Sequence, residues 1–206
     1  MSRNSRIPGW LIIAIVVIGI AAIAGVAAVT YLELFNAPAE QIEWNMTVVG
    51  SDGEEKVLTF EEIIAMESHE SFGGFFTTVG TIQGPFELKG VPLADICELV
   101  GGIDTTNTVW VSAPDGYLMV FTYDQVINGE FRTFDPATFK EVPHEELTII
   151  LAFQQDGAPL PDNYGKPLRI AIVSSRDDYI TEGHYWVMWV DRIEVRSLPV
   201  KLPPSP

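Results

Sequence analysis

Hydrophobic and polar positions divide the chain into one long apolar run followed by many short, broken ones. Trp10–Leu32 reads WLIIAIVVIGIAAIAGVAAVTYL, 23 residues without a charged side chain. About 20 apolar residues cross a hydrocarbon core, so the run predicts a transmembrane helix over 10–32. A cleaved signal peptide is the alternative, but its apolar stretch would be only ~7–15 residues. A tether over 33–43 follows, and then the apolar period shortens to two. WNMTVVG reads as a strand, SDGEEK as a turn and LTFEEIIAMES as a short helix. Thr59 caps that helix, and Glu62 completes a capping box. GGFFTTVGTIQGPFELKG is strand-like and broken by glycines, and VPLADICELVG is a helix with Pro92 in its first turn and Gly101 past its end. TVWVSA and YLMVFTY are strands joined by a PDG turn. Residues 124–147 read as acidic and irregular, with a turn at FDPATFK. LTIILAF and LRIAIV are near-continuous apolar runs, the pattern of strands buried on both faces. YWVMWVDRIEVRS closes the pattern as a strand pair or one long strand, before the Pro-rich tail 198–206.

This pattern predicts an α+β fold: mostly β, mixed sheets with short helices, in one domain over 44–197. The expected order is a cytoplasmic segment 1–9, the anchor 10–32, the tether 33–43, the domain and the tail. Charge orients the anchor. Arg3 and Arg6 precede it, Glu33 and Glu40 follow it, and positive residues stay cytoplasmic. The expected location is the cell membrane, single-pass, with the N-terminus inside and the domain extracytoplasmic. The chain has 12 basic and 28 acidic side chains; with Arg3 and Arg6 set aside, the part beyond the helix carries 10 − 28 = −18. Such a field repels phosphate backbones, which excludes nucleic acid as a partner. The expected partners are the membrane, through the helix, and a small-molecule ligand or redox protein.

Few catalytic patterns survive inspection. There is no G-x-S-x-G, no P-loop and no G-x-G-x-x-G. His69, His144 and His184 lack metal-ligand spacing, and no metal ligand is predicted. The single cysteine, Cys97, falls among Leu93, Ile96 and Val100 on the apolar face of its helix, the setting of a buried structural thiol. What remains are turns on strong strands. SAPDGY sets Asp115, Gly116 and Tyr117 at one strand end, and DGAPLPDNYGKPLR sets Gly157, Gly165 and Arg169 at another. Loops on a rigid sheet are where sites are built, and an arginine there suits an anion. Phe72, Phe75, Phe76 and Tyr164 lie in or beside these loops. Core packing is the preferred reading of these rings over ligand contact.

GVPLADICELVGG, VSAPDGY, LAFQQDGAPLPDNYGKPLRIAIV and WVMWVDRIEV follow one another in an order that resembles the molybdopterin-binding oxidoreductase domain of the sulfite oxidase family, over about 47–195. The resemblance implies loops that wrap a phosphate-bearing pterin carrying molybdenum. It also implies a cysteine thiolate on the metal, in a T-C-V-G segment. This chain reads Thr77-Thr78-Val79-Gly80, which sets Thr78 at that place. A hydroxyl is a poor substitute at a soft thiolate site. A family histidine corresponds to Tyr164, and the lysine of the family's V-K-W corresponds to Met188. Tyr117 falls where the family keeps an active-site tyrosine. Arg169 matches the arginine of P-L-R, and Gly165 and Pro167 keep the loop's shape. The candidates are therefore Tyr117 for catalysis, and Thr78, Asp115, Tyr164, Gly165, Arg169 and Met188 for cofactor contact, the cofactor being molybdopterin or none. Three readings follow: a ligand- or partner-binding module with altered or lost metal chemistry, an active molybdopterin oxidoreductase with a non-cysteine metal site, or a structural subunit of a membrane redox complex.

Overall fold

A computed structural model of the chain describes residues 42–143 and 146–198. The predicted anchor and tail lie outside these residues, as does His144. Among the described residues no helix is long and apolar enough to cross a membrane.

The domain opens with β1 (Asn45–Val49) and β2 (Glu55–Thr59), an antiparallel hairpin. Helix α1 (Phe60–Ile64) begins at the predicted cap. The Thr59 hydroxyl accepts from the Glu62 amide at 3.2 Å, and the Glu62 carboxylate accepts from the Thr59 amide at 2.8 Å. The strand β2 takes Glu55 and Lys56 from the expected turn and Leu58 and Thr59 from the expected helix, which ends at Ile64 and is shorter than LTFEEIIAMES suggests. β3 (His69–Phe76) and β4 (Ile82–Pro92) form the next hairpin. α2 (Leu93–Glu98) follows, with Pro92 at its N-cap and not inside its first turn. β5 (Asn107–Ser112) and β6 (Leu118–Thr122) pair across the PDG turn.

α3 (Tyr123–Ile127) departs from the expected irregular stretch. It starts on a second capping box, in which the Thr122 hydroxyl and the Gln125 side chain satisfy each other's amides. The T-x-x-Q spacing was present to be read, but TY completes an apparent strand and masks it. Short strands β7 (Thr133–Phe134) and β8 (Glu141–Val142) bracket the FDPATFK turn, where the Asp135 side chain accepts from the Ala137 and Thr138 amides. β9 (Thr148–Gln155), β10 (Ala158–Pro159) and β11 (Arg169–Val173) come next. All five residues of β11 are buried, as are five of β9, as their unbroken apolar pattern predicts. β12 (Thr181–Glu182) and β13 (Arg192–Ser197) complete the order. The expected long closing strand is confined to β13. A single helical turn at Gly183–Tyr185 and a left-handed Trp189 (φ 56°) limit the run YWVMWVD to one bridge, Met188 with Arg169.

Two mixed sheets result. One runs β2-β1-β13-β5-β6, with β1 and β13 parallel. The other runs β10-β9-β4-β3-β12, with β11 paired to β9 and β12 parallel to β3. The core includes Val48, Val109, Val111, Phe121 and Ile193 from the first, and Leu88, Val91, Ile150, Leu151, Ile170 and Ile172 from the second. Cys97 joins it from α2. Truncating one of these aliphatic side chains to alanine costs about 2–5 kcal/mol.

Candidate functional site

The second sheet builds a cleft where β3, β11 and the turn at 183–188 meet. β12 runs parallel to the end of β3, pairing Thr181 with Phe75 and Glu182 with Phe76. Gly183 follows at once. A Cβ there would stand 2.6 Å from the Phe76 carbonyl oxygen and 2.8 Å from the Phe75 ring, so only glycine lets the chain turn so close. The turn presents Trp186, whose indole N–H donates to the Thr181 hydroxyl at 2.8 Å. That hydroxyl in turn donates to the Gly74 carbonyl at 3.3 Å. Thr181 is fully buried and fixes the indole plane.

The cleft has two adjoining compartments, of about 330 and 280 Å³, sharing walls of Phe75, Thr77, Gly183, Trp186 and Met188. The first is completed by Gln83, Asn163, Tyr164 and Arg169. The second is completed by Thr78, Asp115, Tyr117, His184 and Val187.

Arg169 dominates the first compartment. It is 1% exposed, yet its Nε and Nη1 have no hydrogen-bond partner. Its guanidinium carbon lies 5.2 Å from the Phe75 ring centre, 5.1 Å from Trp186 and 5.8 Å from Tyr164. The rings attract the cation through their faces but cannot accept along its N–H edges. Burial pushes the guanidinium down to about 10, still protonated at neutral pH. Desolvation is the main cause, so the charge is held there at a cost. Tyr164 is held by a hydrogen bond from its hydroxyl to the Gln83 side chain and by an edge contact with Phe86 at 5.4 Å.

In the second compartment, Asp115 Oδ1 accepts from the Tyr117 amide at 2.9 Å, forming the turn after β5. The Tyr117 hydroxyl donates to the His184 carbonyl at 2.7 Å, which ties this turn to the Gly183–Tyr185 turn. Thr78 is exposed at the tip of the β3–β4 hairpin. There the Thr77 amide donates to the Thr81 carbonyl at 2.9 Å, and the Gly80 amide to the Thr77 carbonyl at 2.8 Å.

Six of the seven predicted residues therefore line one cleft: Thr78, Asp115, Tyr117, Tyr164, Arg169 and Met188. Gly165 does not. It lies behind Met188, at φ +94°, where a Cβ would come 2.9 Å from the Met188 Cβ. Of the four aromatics flagged beside the loops, Phe75 and Tyr164 line the cleft, whereas Phe76 packs edge-on against Phe134 and Phe139. Trp186, Thr77, Gln83, Asn163, Gly183 and His184 escaped sequence reasoning. Trp186 sat inside an apparent strand, and Gln83 becomes a neighbour only through the β3–β4 pairing.

The model of the oxidoreductase molybdopterin binding domain matches residues 34–201. The chain belongs to this family. Among solved structures, this family member is similar to the sulfane dehydrogenase SoxCD from Paracoccus pantotrophus, with a TM-score of 0.57 at 17% identity. The match covers 79% of this chain and 41% of that one, so the chain spans under half of that relative's length and the likeness shows the fold. A search of curated proteins finds no match.

The family implies a molybdopterin cofactor, and the cleft suits one part of it. Arg169, with two unpartnered nitrogens, Nε and Nη1, in an aromatic frame, fits an anionic group. The metal's usual thiolate has no counterpart among the lining residues, which offer threonine hydroxyls, Asp115 and His184. Cys97 is fully buried in the core, where desolvation pushes its thiol up to about 12. Among the described residues no three His, Cys, Asp or Glu side chains gather as a metal site.

Proposed function

We propose that this chain is a membrane-tethered small-molecule-binding module on a molybdopterin-oxidoreductase scaffold, working without a thiolate-held metal. The observation that carries the reading is Arg169. A buried cation with bare donors costs stability, and a ligand anion in the first compartment offsets that cost. Phe75 and Trp186 flank such a ligand, and Thr181 keeps the indole in place. Met188 brings a thioether where the family's lysine would bring charge, which weakens the site for a multiply charged cofactor. Run 10–32 supplies the anchor and 33–43 the tether, and Arg3 and Arg6 direct the domain outward.

The test is cofactor content. The full chain is purified from membranes of a host that demonstrably loads a relative carrying the cysteine, and molybdenum is measured by elemental analysis beside fluorescence of released pterin. The expected result is molybdenum far below one per chain. Near-stoichiometric molybdenum with pterin would overturn the reading in favour of an oxidoreductase with an unusual ligand near Thr78. That second reading draws on the family match across 34–201 and on Tyr117 at the cleft wall. A structural subunit would instead co-purify with partners in fixed stoichiometry. Protease added outside intact cells tests the outward topology: a C-terminal tag should be lost, and its protection would overturn that orientation.

A further inference from the structure

The two compartments differ in charge. Arg169 is the charged group lining the first, and Asp115 the one lining the second. Asp191 lies near Asp115: burial, with a contribution from the Asp115 charge, holds its carboxyl above the usual range. Between the two ends run Phe75, Trp186 and Met188, an apolar wall common to both compartments.

We infer that the cleft takes a flat organic monoanion, an aromatic or heteroaromatic carboxylate, whose far end carries an amino or hydroxyl donor directed at Asp115. This narrows the small-molecule reading above and rests on it. One buried guanidinium matches one negative charge. A phosphate dianion would leave its second charge unmatched in a cleft whose other end is acidic, and desolvated excess charge is costly. The rings favour a planar body, since Phe75 and Trp186, packed together at 4.8 Å between ring centres, form an aromatic wall shared by both compartments. The donor end follows from Asp115. The Tyr117 amide takes one lone pair of its Oδ1, and a carboxylate has about four such sites. The compartments, about 330 and 280 Å³, are of the size that holds small ligands.

Isothermal titration calorimetry on the full chain in detergent, with four probes, tests this. 4-Aminobenzoate is expected to bind, benzoate about fivefold more weakly, and uncharged 4-aminobenzamide about 30-fold or more below the acid. Phenyl phosphate is expected to bind no better than benzoate. Asp115→Asn keeps an acceptor for the Tyr117 amide and should bring the ratio of 4-aminobenzoate to benzoate affinity to about one. Thr77→Trp fills the cleft from its rim and should abolish binding of both acids, with the melting temperature showing that the fold persists. Equal binding of acid and amide, tighter binding of phenyl phosphate, an unchanged ratio in Asp115→Asn, or no heat from any probe would each overturn the ligand class. Stoichiometric pterin without metal would overturn the monoanion and leave the small-molecule reading standing. Stoichiometric molybdenum would overturn that reading itself.

Discussion

Two buried groups in this domain, Cys97 and Arg169, have opposite surroundings. Cys97 sits among core side chains on α2, and its polar character is suppressed: burial pushes the thiol up to about 12. Arg169 is as deeply buried at the start of β11, but it faces a cleft and keeps its charge with Nε and Nη1 bare. The first is packing, since a small polarizable group fills space. The second is a cost left in the ligand-free fold, and such costs persist where function uses them. The contrast separates a family member's scaffold from its chemistry. The thiol this chain owns is in the wrong place for a metal, while the cation is in the right place for an anion.

The strongest way to break the comparison is Arg169→Met. Ligand affinity should fall about 100-fold or more, while the ligand-free protein melts about 5 °C higher, because an uncompensated buried charge is replaced by an apolar chain. A lower melting temperature would show that the guanidinium is structural. Next in size, Gly165→Ala should destabilise by about 2 kcal/mol in denaturant titration, since a left-handed φ of +94° and the Met188 Cβ at 2.9 Å both oppose a side chain. Thr181→Val removes the acceptor of the Trp186 indole. It should cost about 1–2 kcal/mol and weaken binding severalfold, with a shifted tryptophan emission reporting the freed ring.

Alkaline pH sharpens the contrast through sign. Cys97 has a raised folded pKa, so its contribution falls as pH rises from about 9 toward 12. Arg169 has a lowered one, so its penalty lifts as pH rises above about 10. In the overlap the two slopes oppose each other. Relative to the unmodified chain, Arg169→Met should lose stability more steeply above pH 10, and Cys97→Ala less steeply above pH 9, in denaturant midpoints read across that range. The smallest effect expected is on function in Cys97→Ala, whose molybdenum and pterin content should equal that of the unmodified chain.

Strong local signals made much of the fold legible. The capping box at Thr59, the buried runs of β9 and β11 and the PDG turn all appear where hydrophobic period and turn chemistry set them. The misses have physical causes. α3 hid behind the apparent strand YLMVFTY, and the closing segment, rich in strand-forming residues, is diverted by the tight approach of Gly183 to β3 and by Trp189. In the cleft, Arg169, Asp115 and Tyr117 could be named because they sit on recognisable turns, and Tyr164 because the family resemblance sets it at a histidine's place. Their shared walls could not, because Thr77, Gln83 and Trp186 meet only through pairings of β3 with β4 and β12.

The parallel pairing of β1 with β13 has a mechanical consequence. β1 lies between β2 and β13, and just before it the Trp44 indole N–H donates to the Val190 carbonyl at 2.9 Å. A pull on the chain ahead of residue 44 would enter through that indole and then run along β1, with hydrogen-bonded rungs on both flanks sharing the load. The first compartment belongs to the other sheet, but Asp115 and Tyr117, on the turn between β5 and β6, wall the second, so tension passing from β1 through β13 to β5 would reach one side of the cleft and leave the Arg169 side unloaded.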